Sequence, residues 1–264
     1  MKVSLHKVAE QLKLRAGPVL AACVLLAGVS AAKANTIYLY DTLNGYSYGP
    51  GNGNYAGELT AWTDPSFLGN GYVASTEQSI PSSAPSGAGT GFETFCDEPS
   101  VPFTSGASYT FTLANSDGQG HVLTLGAAWL YYQFATGKLS GYNYPDAGTP
   151  SRNTDAGLVQ YALWLLMGYT TGLPYGWPPP GYTAATDTFY QDALSMFGSS
   201  ATNNANAGTY GVEVLVLTDS SGDPIQNQFV LTPPTTVPDT ASTLTLLGAA
   251  LTALGLAGRK LRTK

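Results

Sequence analysis

The residue types best suited to covalent chemistry in this chain are one cysteine and one glutamine. Cys96 lies in "FETFCDEP" (92–99), while the other cysteine, Cys23, falls in an N-terminal stretch that reads as cleavable. A single unpaired thiol on an exported protein is open to oxidation and mispairing, so it needs a use or a block. Gln160 lies in "AGLVQYALWLLMGY" (156–169), a helical segment apolar almost all round and therefore expected to be buried. A buried carboxamide has two donors and an acceptor to satisfy, and each left unpaired costs about 1–3 kcal/mol. Two readings stand side by side. In the plain one, Gln160 hydrogen-bonds backbone at a helix–sheet contact. In the reactive one, the Cys96 thiolate attacks the Gln160 carboxamide carbon, expels ammonia and leaves an internal thioester. An amide is a weak electrophile, so that exchange requires the two groups to be held in contact and water to be kept away from the product.

Around this pair, Trp164 follows Gln160 by one helical turn and shares its face, either as a shield over the bond or as ordinary core. Phe95, Asp97 and Glu98 flank the thiol. The two carboxylates are candidate proton acceptors, with a solvated rim position as the plain alternative. Other chemistries lack their parts. His121 is the only histidine of residues 35–236 and has no second cysteine or carboxylate set at metal-ligand spacing, which argues against zinc and against a Ser-His-Asp hydrolase. "NSDGQG" (115–120) and "DSSGD" (219–223) lack the spacing of a calcium loop and read as strand turns. Glu93 and Glu98 among many aromatics would suit glycoside cleavage only at a defined separation, which no pattern sets. No glycine-rich phosphate cradle occurs, and no cofactor is expected.

The elements that must position the pair form an α+β pattern. Strands are expected over 36–41, 57–62, 92–98 and 108–115, from their alternation and β-branched or aromatic content. Glycine-, proline- and serine-rich separators cover 45–57 and 79–91. Helices follow over 127–137, ended by Gly137, over 153–169, with capping oxygens from "NTD" (153–155), and over 184–198, with Phe189, Leu194 and Phe197 inward. Strands return over 211–219 and 226–232 around an "SSGDP" turn. A β-barrel or β-sandwich with an inserted bundle of about three helices accommodates this order.

The ends differ from the body. Residues 1–34 combine basic residues, the apolar run 19–29 and small residues around a cut after Ala34, as in a secretory signal. "LAAC" (20–23) offers a lipidation alternative, though most of the apolar run lies after Cys23. Residues 237–264 join "VPD", an apolar helix and the basic "RKLRTK", a stop-transfer order that would engage the membrane. Residues 35–236 hold only Lys138 and Arg152 against fifteen carboxylates, a net charge of −13. So acidic a body repels phosphate backbones, and nucleic acid is not an expected partner.

The tail resembles the PEP-CTERM class of sorting signals in its Val-Pro-Asp variant. That resemblance implies an exosortase-type processing enzyme and delivery to the cell surface or matrix of a Gram-negative-type envelope. "FCDE" followed, 64 residues after its cysteine, by "VQYALW" resembles the thioester domains of bacterial surface adhesins. Their cysteine lies in a Tyr/Phe-Cys-Ile-Asp-like stretch and their glutamine in a Thr-Gln-x-Ala-Ile-Trp-like one. The matching positions are Phe95-Cys96 and Gln160, Ala162, Leu163, Trp164; Val159 departs from the threonine, and Asp97 from the apolar residue after the cysteine. "YAGEL" (55–59), "AAWLYYQF" (127–134) and "QNQFVL" (226–231) extend the likeness over roughly 55–232. It implies a Cys96–Gln160 thioester that captures an amine of a surface or matrix target. That is single-turnover acyl transfer rather than enzyme turnover. The rival is a non-reactive structural surface protein of the same fold.

Overall fold

The structure is a computed structural model, which describes residues 35–41, 47–48, 56–63, 71–80, 82–84, 87, 89–146, 151–174 and 177–232. The expected export signal (1–34) and sorting tail (237–264) lie outside the described residues. Among the described residues, no helix is long and apolar enough to cross a membrane.

Among the described residues, nine strands and three α-helices follow the α+β order. They are β1 (Asn35–Tyr40), β2 (Ser47–Tyr48), β3 (Ala56–Gly57), β4 (Leu59–Thr63), β5 (Glu77–Ile80), β6 (Gly89–Thr94) and β7 (Ser108–Ala114), then α1 (Leu125–Ala135), α2 (Arg152–Leu166) and α3 (Thr188–Phe197), and last β8 (Val212–Thr218) and β9 (Pro224–Leu231). Seven strands pair antiparallel in the order β5-β6-β4-β1-β7-β8-β9, and β2 pairs β3 separately. The large sheet is not closed into a barrel, so that alternative of the sequence reading is set aside. Among the described residues a single bridge, between Cys96 and Gln228, ties β9 to the segment that continues β6.

Local signals explain the helices. α1 begins at Thr124, whose hydroxyl accepts from Ala127 N–H. It ends as expected at Gly137: the N–H groups of Gly137 and Lys138 bond the carbonyls of Phe134 and Gln133, with Gly137 at φ +68°. α2 is capped by Ser151 rather than by residues 153–155; Asp155 instead turns inward and accepts from Asn143 N–H at 2.9 Å. α3 starts at 188, not 184, because Asp187 caps it and a Thr183–Thr186 turn precedes it. Phe189 is buried, and Leu194 and Phe197 pack partly buried against the core, as their spacing predicted. Gly126 lets α1 approach closely: a Cβ there would lie 2.8 Å from both Ala201 O and Leu166 Cδ2.

The corrections to the strands are local. The expected strand 92–98 starts earlier, at Gly89, and its ladder stops at Thr94; β5 and the start of β6 occupy part of what reads as a separator. Strands β8 and β9 are buried on both faces. Val212, Val214, Phe229 and Leu231 meet the helices, while Leu215, Leu217 and Val230 meet Ile37, Leu39 and Phe92 on the opposite side. This two-sided burial is why most of β8 and the end of β9 read as near-continuous apolar sequence.

Candidate functional site

The chain beyond β6 leaves the ladder but keeps pairing with β9. Phe229 N–H donates to Phe95 O at 3.1 Å, Asp97 N–H donates to Asn227 O at 2.9 Å, and the Thr94 hydroxyl donates to Phe229 O at 2.6 Å. Cys96 therefore faces Gln228 as the non-hydrogen-bonded member of an antiparallel bridge, the kind in which side chains stand closest. Its own N–H and C=O point away from β9, where a next strand would be.

No strand is there; Gln160 is. Cys96 N–H donates to Gln160 Oε1 at 2.8 Å, and Gln160 Nε2 donates to Cys96 O at 2.7 Å. The carboxamide imitates a neighbouring peptide group, closing both valences of a fully buried backbone. This accounts for one polar side chain on the apolar α2, and it lays the carboxamide against the residue that carries the thiol. The structure thus brings together two residues separated by 64 positions.

The sulfur sits in a dry setting. Cys96 packs with Ala56, Leu59, Tyr161, Trp164, Leu165 and Trp177. Burial pushes its thiol well above the ordinary range, a hydrogen bond from the Gln228 side chain acts the other way, and the nearby carboxyls of Glu98 and Asp97 push it further up. Trp164 is fully buried, meets Trp177 edge-on at 4.8 Å between centroids, and makes no hydrogen bond through Nε1 among the described residues. Phe95 points to the other side, edge-on to Phe134 at 4.8 Å in the helix core. Beside Trp164 opens a pocket of about 230 Å³ lined by Asp41, Phe103, Pro174, Gln226 and the turn from Pro99. Of the four flanking residues singled out in the sequence, only Trp164 lines it.

Asp97 and Glu98 are not solvated rim carboxylates; both are buried. Asp97 has neither carboxyl oxygen hydrogen-bonded among the described residues, and burial together with the charges of Glu98 and Asp117 pushes it well above the ordinary carboxylate value. Glu98 is pushed up to about 7 by burial, against hydrogen bonds from Asn227 N–H and from the Gln119 and Asn227 side chains. Asn227 Nδ2 also reaches Asp117 O at 2.6 Å. Asp117 in turn accepts from Tyr169 OH at 2.8 Å, contacts His121 Nδ1 at 2.6 Å, and receives the N–H groups of Gln119 and His121. Burial opposes its ionisation, yet those bonds hold it below its usual value. His121 thus closes a turn with Asp117. Among the described residues, no group of three or more His, Cys, Asp or Glu is placed to hold a metal ion. Glu93 is buried and accepts from the Thr60 hydroxyl at 3.1 Å.

These carboxyls set a pH dependence. Burial raises Asp97 and Glu98, and likewise Asp187 to about 7 and Asp155 to about 6. Unfolded carboxyls release their protons at about pH 4, so between there and about 7 the folded state holds protons that the unfolded chain has lost. Stability is therefore greatest at mildly acid pH and falls as pH rises through that window. Thermal unfolding should give a higher Tm at about pH 5 than at about pH 8, each tenfold difference in proton affinity between folded and unfolded chain corresponding to about 1.4 kcal/mol. Asp97→Asn should flatten the profile, and a wild-type Tm rising toward alkaline pH would contradict the assignment.

Sequence reading alone missed three features of the site: the Gln226–Gln228 polar run of β9, the Glu58–Arg152 ion pair, and the Asp117–His121–Tyr169 cluster. The first had a visible signal, since "QNQ" interrupts a strand otherwise apolar on both faces. The second had one too, because Arg152 is one of only two cations in an acidic body. Comparison of the chain with protein-family models, with curated proteins and with solved structures finds no match in any of the three.

Proposed function

We propose that this is an exported surface protein whose Cys96 and Gln160 form an internal thioester for covalent attachment to amine groups on a target. The observation that carries this reading is the double hydrogen bond between the Gln160 carboxamide and the backbone of Cys96. The Cys96 N–H on Oε1 is placed to take up negative charge as the carbonyl becomes tetrahedral. Sγ bonds to the Gln160 carboxamide carbon, the bond to Nε2 breaks, and the thiol proton leaves with Nε2 as ammonia. A target amine then bonds to the same carbon, the bond to sulfur breaks, and the surplus amine proton returns to the thiolate. The buried, apolar surroundings supply the exclusion of water that a standing thioester needs.

The acidic body favours approach of cationic groups. The pocket beside Trp164 offers them Asp41, with aromatic and proline walls for an apolar stem, and Gln226, whose side-chain Oε1 makes no hydrogen bond among the described residues, is part of its lining. The signal-like and sorting-like ends support export and exosortase-type delivery to the envelope or matrix.

Intact-mass spectrometry is the test. The protein should lack the mass of one ammonia, and methylamine should add at Gln160 while freeing Cys96 to thiol reagents. A full-mass protein that takes up no methylamine would exclude the reading. One observation favours the rival, a non-reactive structural protein: Gln160 is already satisfied as a backbone clasp, with no covalent bond required. The same measurement separates the two.

A further inference from the structure

Cys96 has two glutamine side chains beside it, and they meet different parts of the residue. Gln160 holds its backbone. Gln228 stands opposite it across the bridge, on the same face and at the closest cross-strand spacing. Gln228 is fully buried, and its Nε2 donates to Gln226 O at 3.3 Å, leaving a second N–H on the face that Cys96 shares across the bridge. Its Oε1 has no hydrogen-bond partner among the described residues. A buried carboxamide with an idle acceptor is a net burden to folding, so its N–H groups are where its value lies. Among the described residues no cation accompanies the thiol, and the acids Asp97 and Glu98 beside it disfavour a thiolate.

We propose that Gln228 is a positioning residue for the reactive sulfur, donating an N–H to Cys96 Sγ and stabilising the charge that gathers there when the thiol attacks and when it departs. This rests on the thioester reading. In formation, the donor steadies the sulfur as its proton is lost to the leaving nitrogen. In capture, it steadies the departing thiolate until the proton released by the attacking amine reaches it. The idle Oε1 follows from the same arrangement, because turning the carboxamide over would point an acceptor at the sulfur.

The test uses Gln228→Met, which keeps length and apolar bulk while removing both N–H groups, made in the full chain and first checked for an unchanged far-UV spectrum. Two measurements are compared with wild type. The first is the rate at which methylamine converts the crosslinked form to its adduct, one methylene heavier than the uncrosslinked chain; it should fall about ten- to a hundredfold, the kinetic equivalent of one hydrogen bond to a charged group. The second is the infrared S–H stretch of Cys96 after methylamine treatment, isolated by subtracting the spectrum of Cys96→Ala. That band should shift when the donor to sulfur is lost, a signature that a purely structural role would not produce. An unchanged rate with an unmoved band overturns the proposal. If wild type instead shows full mass, the thioester reading fails on its own, and the S–H band of the untreated protein still decides whether Gln228 serves the sulfur.

Discussion

Cys96→Ala is expected to restore full mass and to lower stability by about 4 kcal/mol, the loop-closure contribution of a crosslink joining residues this far apart. The two residues are 64 positions apart, so the bond would restrain a long loop of the unfolded chain. Without a crosslink the same substitution removes only one small buried group, worth about 1 kcal/mol. The backbone clasp survives it, since Gln160 bonds the N–H and C=O of residue 96 and not its side chain. Gln160→Ala is the contrasting variant. It abolishes the bond and, compared with Cys96→Ala, also strands a buried donor and a buried acceptor, each costing about 1–3 kcal/mol. Urea unfolding of the three proteins, with mass measured in parallel, gives the ranking wild type, Cys96→Ala, Gln160→Ala. A Cys96→Ala loss of only about 1 kcal/mol, alongside a wild type of full mass, would mark the pair as noncovalent.

Arg152→Met should be the most disruptive substitution remote from the thiol, at about 3–5 kcal/mol. Arg152 Nε and Nη2 donate to Glu58 Oε2 and Oε1 at 2.8 and 2.7 Å, and the guanidinium also reaches the carbonyls of Tyr144 and Ser75. Both charges are buried, with the rings of Tyr142 and Tyr144 each 5.9 Å from the guanidinium. Burial pushes the Glu58 carboxyl up while Arg152 pulls it back, so removing the cation leaves a carboxylate with neither water nor its counter-charge. The pair pins the first turn of α2 to the bend between β3 and β4, two helical turns before Gln160. Glu58→Leu combined with Arg152→Met should recover most of the loss, because no orphan charge is then left in the core. Equilibrium unfolding checks this, and a double variant no more stable than Arg152→Met alone would refute it.

Legibility in the sequence tracked the range of the interaction. Helix ends were readable to within a few residues where the signal is local, as at Gly137. They were misread where two capping candidates competed: Ser151 takes the cap of α2 because Asp155 is drawn to Asn143 in the loop before it. β5 was invisible, since Glu77–Ile80 has no alternation and gains its place only by pairing with β6. Asp97 and Glu98 looked like surface acids because composition favours exposure for charges. What buries them is the return of β9 alongside residues 95–97.

By itself, the sequence determined the α+β order, the three inserted helices and the acidic body, and it singled out one lone cysteine and one out-of-place carboxamide. Periodicity, caps and composition act over a turn or a few residues and survive in a one-dimensional reading. Tertiary structure alone decided that the sheet stays open and that Gln160 stands in for a missing strand at Cys96. It alone set Gln228 opposite Cys96 and buried Asp97, pushing its carboxyl well above the ordinary value. Those outcomes depend on contacts such as Thr94 with Phe229, 135 residues apart. Only the assembled core fixes such distances, because burial and pairing energies belong to the packed arrangement and not to any segment of the chain.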